Sequence, residues 1–222
     1  MSKKIVIGLA GVKTSGKSTV TSMIQEFIAE AKEAALADKL KNVCAKVFDI
    51  PRSTFDLQEY KEIPFSVFNM TRTLAKKDIA DILFLFKVEF TNELHLTLKD
   101  LYGMDLKSAR HIAQIVGTEV LRATGNANIH CDNVPLNESG ITIISDVRFP
   151  NEYEYFSNSK DVNFIPLYIS RRKAEKHVTP ESHASEWLVF TFSDKCHLIN
   201  NNADLENTRD QIQKVLKSKG LI

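Results

Sequence analysis

Three cysteines in 222 residues, Cys44, Cys131 and Cys196, are too few, too far apart and odd in number to form a disulfide framework. No pair has C-x-x-C spacing, so neither a thiolate metal site nor a redox pair is expected, and a reducing compartment, the cytoplasm, fits best. The 6 histidines show no metal-ligand spacing either. An excess of one charge is also missing. Lys+Arg 29 against Asp+Glu 28 leaves a formal net charge of +1, which argues against a nucleic-acid partner bound through its phosphates and makes any anion site local. The longest purely aliphatic and aromatic run, from Ile82 to Phe86, is far too short to span a bilayer, so no membrane partner is expected. Lys3 and Lys4 ahead of an apolar stretch imitate a signal peptide, but Lys13 interrupts the stretch and no small-residue cleavage site follows.

With 43% hydrophobic and 26% charged residues, the chain has the composition of a globular protein able to bury a sizeable core. No internal repeat or linker divides it. Residues 5–10 form a β-branched-rich run with no polar alternation, as expected of a parallel strand covered on both faces. From Ser18 to about Ala31, Val20, Met23, Ile24, Phe27 and Ile28 recur at helical spacing. Further strands are predicted over 141–145, 163–169 and 197–200, each followed by a helix, the last over 205–217. Strands alternating with helices imply an α/β fold, three layers around a central parallel sheet. The stretch 51–107 breaks the alternation. Within it, 71–90 reads as a helix whose apolar face (Leu74, Ile79, Ile82, Leu83, Phe86, Phe90) is widened by Phe84, Leu85 and Val88. Such a face implies either burial in a small helical lobe or a homodimer interface.

Immediately after the first predicted strand, Gly11-Val12-Lys13-Thr14-Ser15-Gly16-Lys17-Ser18 satisfies G-x-x-x-x-G-K-[ST] at every defined position, with a helix predicted behind it. The residue types follow from the chemistry. Glycines let the backbone fold into a nest of N–H donors at a helix N-terminus, where anionic oxygens are favoured. Lys17 would reach β- and γ-phosphates, and the Ser18 hydroxyl would ligate Mg²⁺. The loop names a nucleoside triphosphate as ligand but no reaction. The N-K-x-D motif of a guanine-nucleotide switch is absent.

Two other segments bear chemistry. On a helix over 108–122, Ala109, Ile112, Ala113, Val116 and Val120 share one side, while Arg110, Gln114, Thr118 and Arg122 form a stripe opposite. The stripe is either a solvated face or a surface whose guanidinium holds a phosphate and whose amide reads a base edge. Strand 141–145 ends in Asp146, which places a carboxylate at the carboxyl edge of a parallel sheet, where ligands bind in open α/β folds. Asp146 either holds Mg²⁺ through water or caps the following turn, Arg148 is near enough to meet a phosphate, and Pro150 and Asn151 start the next helix.

Together these residues resemble the deoxynucleoside monophosphate kinases of tailed bacteriophages. The resemblance rests on the loop at 11–17, Leu36-Ala-x-x-Leu-Lys41, Lys61-Glu62, Arg110-x-x-x-Gln114-x-x-Gly117-Thr118-Glu119, Asp146-x-Arg148 with Glu152, His183-x-Ser185-Glu186, and the strand-to-Asn stretch from Ile199. It implies a P-loop NTPase fold of the nucleoside monophosphate kinase kind: a single domain over 1–222, with a core of 1–50 and 108–222, a monophosphate-binding lobe near 51–107 and a lid near 171–186. It also implies ATP and Mg²⁺ as cofactors and a dNMP as acceptor. By that resemblance Gly11, Lys13, Ser15, Gly16, Lys17, Ser18 and Thr19 hold the ATP phosphates, and Asn201 belongs to the adenine-contacting loop. Lys41, Lys61, Arg110, Gln114, Thr118, Arg148 and Glu152 take the monophosphate side. Lys17, Arg148, Arg171 and Asp146 carry the transfer, with Ser18 and Asp146 on the metal. Lys61 stands where some relatives carry arginine, a point charge in place of a bidentate fork. The alternatives are a P-loop kinase of another small phosphate ester or alcohol, of the dephospho-coenzyme A or phosphomevalonate type, and a slow nucleotide-dependent switch.

Overall fold

The computed structural model describes residues 3–138, 140–179, 182 and 184–222. In chain order the elements are β1 (Lys4–Ala10), α1 (Lys17–Phe27), β2 (Lys32–Ala34), α2 (Asp38–Phe48), α3 (Arg52–Asp56), α4 (Gln58–Lys61), α5 (Lys76–Leu85), α6 (Asn92–Leu98) and α7 (Ala109–Gln114). There follow β3 (Ile141–Val147), α8 (Pro150–Ser157), β4 (Val162–Ser170), α9 (Arg172–Glu175), α10 (Ala184–Trp187), β5 (His197–Asn200) and α11 (Leu205–Ser218). They divide into two compact units, Met1–Leu36 with Val134–Ile222, and Ala37–Asn133.

The first unit is a five-stranded sheet in the order β2-β3-β1-β4-β5, all pairs parallel. β1 lies in the middle, aligned Ile5 to Ile141 on one side and Ile5 to Asn163 on the other. Being hydrogen-bonded on both edges and covered on both faces, it has no polar side chain beyond Lys4 at its start, and Val6, Ile7, Leu9 and Ala10 are buried. Ile7, Leu9, Ile143, Ile165, Leu167 and Ile199 share one core with Val20 and Ile24 of α1 and Ile212 and Leu216 of α11. On α8, Phe156 and Tyr153 meet Phe164 of β4, with ring centroids 5.5 and 5.9 Å away. A Cβ on Gly8 would lie 2.6 and 2.7 Å from two atoms of the Phe164 ring, so glycine is what lets that ring pack against the central strand. The three-layer α/β P-loop architecture expected from the alternation is present.

Two expectations at this end change. α1 stops at Phe27, and Ile28 and Ala31 reach the core from the turn that leads into β2. β2 has the sequence Lys-Glu-Ala and escapes propensity reasoning because only its pairing with β3 makes it a strand.

The second unit is all helix around its own core, in which Leu40, Val43 and Phe48 of α2, Ile79, Ile82 and Leu83 of α5, and Ile112, Val116 and Val120 are buried together. Because α2 and the helix after 108 supply that core, the unit takes in 37–50 and 108–133 as well as the 51–107 lobe read from the sequence. The helix expected over 71–90 is shorter. Thr73 forms an antiparallel bridge to Asp105, Leu74 N–H donates to Met104 O at 2.9 Å, and Lys87 at φ 59° closes the other end. Leu85, Val88 and Phe90 pack on this unit's own core, leaving Phe84 78% exposed.

The 108–122 helix is α-helical only through Gln114. Ile115–Val120 is π-helical, and Leu121 N–H reaches Val116 O at 2.9 Å, five residues back. Despite the change of winding, Ala109, Ile112, Val116 and Val120 are all buried, as the wheel at 100° per residue expects, while Arg110, Gln114 and Thr118 are half-buried and Arg122 is exposed. Gly117 lies in this segment, where a Cβ would come within 2.9 Å of Leu40 on α2. No helix among the described residues is long and apolar enough to cross a membrane.

Gly8→Ala should destabilise the protein by ~1–3 kcal/mol through overpacking against Phe164. Urea denaturation would show this as a lower midpoint at unchanged slope, partly recovered by adding Phe164→Leu.

Candidate active site

The phosphate loop leaves the carboxyl end of β1, where β3 and β4 diverge to either side, the position at which open α/β sheets receive ligands. Its shape needs left-handed backbone at Gly11 (φ 148°), Thr14 (φ 63°) and Gly16 (φ 102°). Gly16 is also the residue ahead of α1. It offers no side-chain cap, so the helix's first amides are left to an outside acceptor. Asn201, just past β5, braces the loop from outside: its Nδ2 donates to Ser15 O at 2.8 Å, and its Oδ1 accepts from the buried Thr208 hydroxyl at 3.1 Å. A Cβ on Gly16 would collide with the same Asn201 amide. Asn201, expected beside adenine, is thus committed to the loop's backbone.

Lys17 Nζ donates to Gly11 O at 2.5 Å and Val12 O at 2.9 Å. Burial first and the Arg148 charge second lower its pKa to about 8, against the opposite pull of Glu186 and Asp146. The Ser15 side chain is buried, and its Oγ has no hydrogen-bond partner among the described residues. Ser18 and Lys13 are exposed and Thr19 half-buried. Lys13 N–H donates to Glu186 Oε2 at 2.7 Å, and Arg171 Nη1 donates to Thr14 O at 3.2 Å. A cleft of 240 Å³ opens there, lined by Thr14, Arg171, Lys173, Ala174 and His177.

Asp146 and Arg148 sit at the end of β3, where the sequence placed them. Asp146 Oδ1 accepts Leu36 N–H at 2.7 Å, which pins the chain leaving β2. The amides of the next turn go to Glu152 instead: its Oε2 accepts Arg148 N–H at 2.8 Å and Phe149 N–H at 3.0 Å, forming a cap on α8. Burial raises the Glu152 pKa to about 7, with Asp146 adding to the rise against the two amides and Arg148. Glu152, expected on the monophosphate side, is buried and spends an oxygen on the turn that carries Arg148. Arg148 Nη1 lies 3.1 Å from Glu186 Oε1.

The other residues expected on the monophosphate side belong to the second unit. Lys41 Nζ bonds Asp56 Oδ1 at 3.1 Å, and Arg52 pairs with both Asp56 and Asp38. Although burial opposes it, the hydrogen bonds from Arg52 and Lys41 hold the Asp56 pKa below its usual value. Arg110 Nη1 lies 3.1 Å from Glu62 Oε1, to which Gln58 Nε2 also donates at 3.0 Å. Thr118 Oγ1 is turned back on Gln114 O at 2.6 Å. Lys61 ends α4, and the Gln114 side chain is half-buried. Of the expected lid, Pro180, Glu181 and His183 lie outside the described residues.

Glu186 and Thr208 acquire their roles only in the folded chain. Glu186 was visible only as part of the His183-x-Ser185-Glu186 stretch; Thr208, one helix residue among many, carried no signal.

A parallel α/β sheet ordered around a central strand, with G-x-x-x-x-G-K-S at that strand's carboxyl end and an acidic strand end beside it, defines a P-loop nucleotide-binding fold of the kinase type. Among characterised proteins the chain is similar to a deoxynucleoside-5'-monophosphate kinase of Escherichia phage T5, 22% identical over 211 residues, which cover 82% of this chain and 84% of that one. No family model matches. Two solved structures share 13% identity with it: a Thermus thermophilus protein (TM-score 0.38, 98% of each chain) and a dephospho-CoA kinase of Campylobacter jejuni (TM-score 0.34, 96% of each chain).

The raised pKa of Glu152 sets a pH dependence. Its stabilising contribution is fully present below about 4.5, the unfolded value, and is lost as pH rises through about 7. Glu152→Gln should flatten the fall in Tm between those pH values, as measured by differential scanning calorimetry in a buffer series.

Proposed function

We propose that this protein is an ATP-dependent deoxynucleoside monophosphate kinase, transferring the γ-phosphoryl of ATP to a dNMP to give dNDP and ADP. The observation that carries the reading is the phosphate loop at the carboxyl end of β1, with Lys17 Nζ on Gly11 O and Val12 O and with Asp146 and Arg148 at the end of the neighbouring β3. The similarity to the phage T5 enzyme over most of both chains supports the choice of acceptor.

The residues at the loop fit the donor and its ion. The uncapped amides ahead of α1 and the orphan Ser15 hydroxyl are donors looking for oxygen acceptors. The Ser18 hydroxyl and the Asp146 carboxylate are the hard oxygen ligands Mg²⁺ takes, the rest coming from water and phosphate. Bound there, Mg²⁺ would neutralise charge on the β- and γ-phosphates. Lys17 would exchange its two loop carbonyls for phosphate oxygens, a stronger, charge-assisted contact. Arg148 and Arg171 would take charge on the transferred group, and Arg110, Lys41 and Lys61 the acceptor phosphate. In the reaction an oxygen of that phosphate bonds to the γ-phosphorus while the bond to the β–γ bridging oxygen breaks, leaving ADP. The acceptor is already anionic near neutral pH, so no general base is needed and positioning plus charge neutralisation lower the barrier.

Incubation with Mg-ATP and a panel of deoxy- and ribonucleoside monophosphates, dephospho-coenzyme A and phosphomevalonate tests the reading. Deoxynucleoside diphosphates are the expected products, and ADP release that no nucleotide acceptor stimulates would overturn it. Lys17→Ala should cut kcat by ~10²-fold or more. Its Tm should stay at or above that of the wild type, because the substitution removes a partly buried cation whose charging is disfavoured. Arg110→Ala should raise KM for the monophosphate with KM for ATP unchanged, and Gln114→Ala should redistribute kcat/KM among bases.

A further inference from the structure

The phosphate loop has an acceptor of its own chain on it. Glu186, from α10, places Oε2 2.7 Å from Lys13 N and Oε1 3.1 Å from Arg148 Nη1, with its side chain only 14% exposed. Both donors are groups that the proposed reaction would turn toward phosphate oxygens: an amide of the loop and the guanidinium beside Asp146. A carboxylate is a planar, two-oxygen anion of the kind such donors select. Lys17 is answered from within the chain too, by the carbonyls of Gly11 and Val12. The loop's own cation and one of its amides therefore have intramolecular partners, and a polyphosphate must take their place.

We propose that Glu186 is a built-in stand-in for a phosphate group: it keeps the Lys13 amide and Arg148 occupied, and the arriving donor phosphates displace it. Displacement does two things at once. It hands Arg148 to the phosphoryl group, and it forces α10 to shift, since two like-charged groups cannot share the same donors. Glu186 is thereby a positioning residue for Arg148 and a competitor of ATP, so its charge weakens ground-state binding of the donor. The inference rests on the loop's binding phosphate, and the experiment separates the two.

The reporter is in the sequence. Trp187, next to Glu186 on α10, is the chain's single tryptophan and is 43% exposed. Sodium tripolyphosphate, which has phosphates but no base or sugar, is titrated into the wild type while Trp187 emission and calorimetric heat are followed. The expected result is an emission change that saturates with the binding isotherm. Calorimetric binding with no change at Trp187 overturns displacement. In Glu186→Gln and Glu186→Ala, tripolyphosphate and ATP should bind about tenfold tighter or more, since a charge-assisted competitor has been removed, while kcat does not rise in proportion because Arg148 has lost its guide. Equal or weaker binding by both variants overturns the stand-in and leaves phosphate binding intact, making Glu186 part of the receiving site. No binding by wild type or variants overturns phosphate recognition by the loop, and the stand-in with it.

Discussion

The contact between Asn201 and the backbone of Ser15 and Gly16 is the constraint on which the site depends. A nest of amides is an expensive arrangement, because donors aimed at one point repel each other and three residues must hold left-handed backbone. The loop's small side chains cannot impose that shape. Asn201 imposes it from the end of β5, with one amide hydrogen on Ser15 O and an oxygen held by Thr208 of α11. The first and last strands of the sheet thus cooperate in one turn. A residue of the stretch expected to contact adenine is thus part of the frame that holds the phosphate loop.

The same economy governs the charges. Asp146, Arg148 and Glu186 act on Lys17, and Asp146 and Glu152 accept backbone amides, Leu36 N–H on the one and Arg148 N–H on the other. An amide fixes direction, so Asp146 is held at the sheet edge while its oxygen anchors Leu36. Glu152 goes further into the protein, and its raised pKa shows that burial outweighs the two amides it accepts. Arg148, carried on the turn that Glu152 fixes, keeps a guanidinium aimed outward to Glu186.

In the helical unit the cations are held by exposed or half-exposed carboxylates, Lys41 and Arg52 by Asp56 and Arg110 by Glu62. Pairs of this kind contribute only ~0–1 kcal/mol each, so they orient the cations without locking them away from a competing anion. The firm part of this unit is its apolar core, where the π-turn at 115–120 and the bare Gly117 bring α2 and the later helix together.

Much of this was legible in the chain itself. The phosphate loop, the strand ending in Asp146 and the alternation around them are local patterns, and local patterns are set by residue type and spacing alone. Hence β1, α1, β3, β4, β5 and α11 fall where the sequence puts them, within a few residues at their ends. What the tertiary structure decided is which partner each polar group meets. β2 exists because β3 offers it an edge; the helix after Ser108 winds as a π-helix over Ile115–Val120; Glu152 turns inward to cap α8; and Glu186 reaches the Lys13 amide from 173 positions along the chain. Periodicity and motif carry no information about such pairings, because a hydrogen bond between distant residues leaves no spacing in the sequence, only two compatible groups whose meeting depends on how the sheet and its connections close.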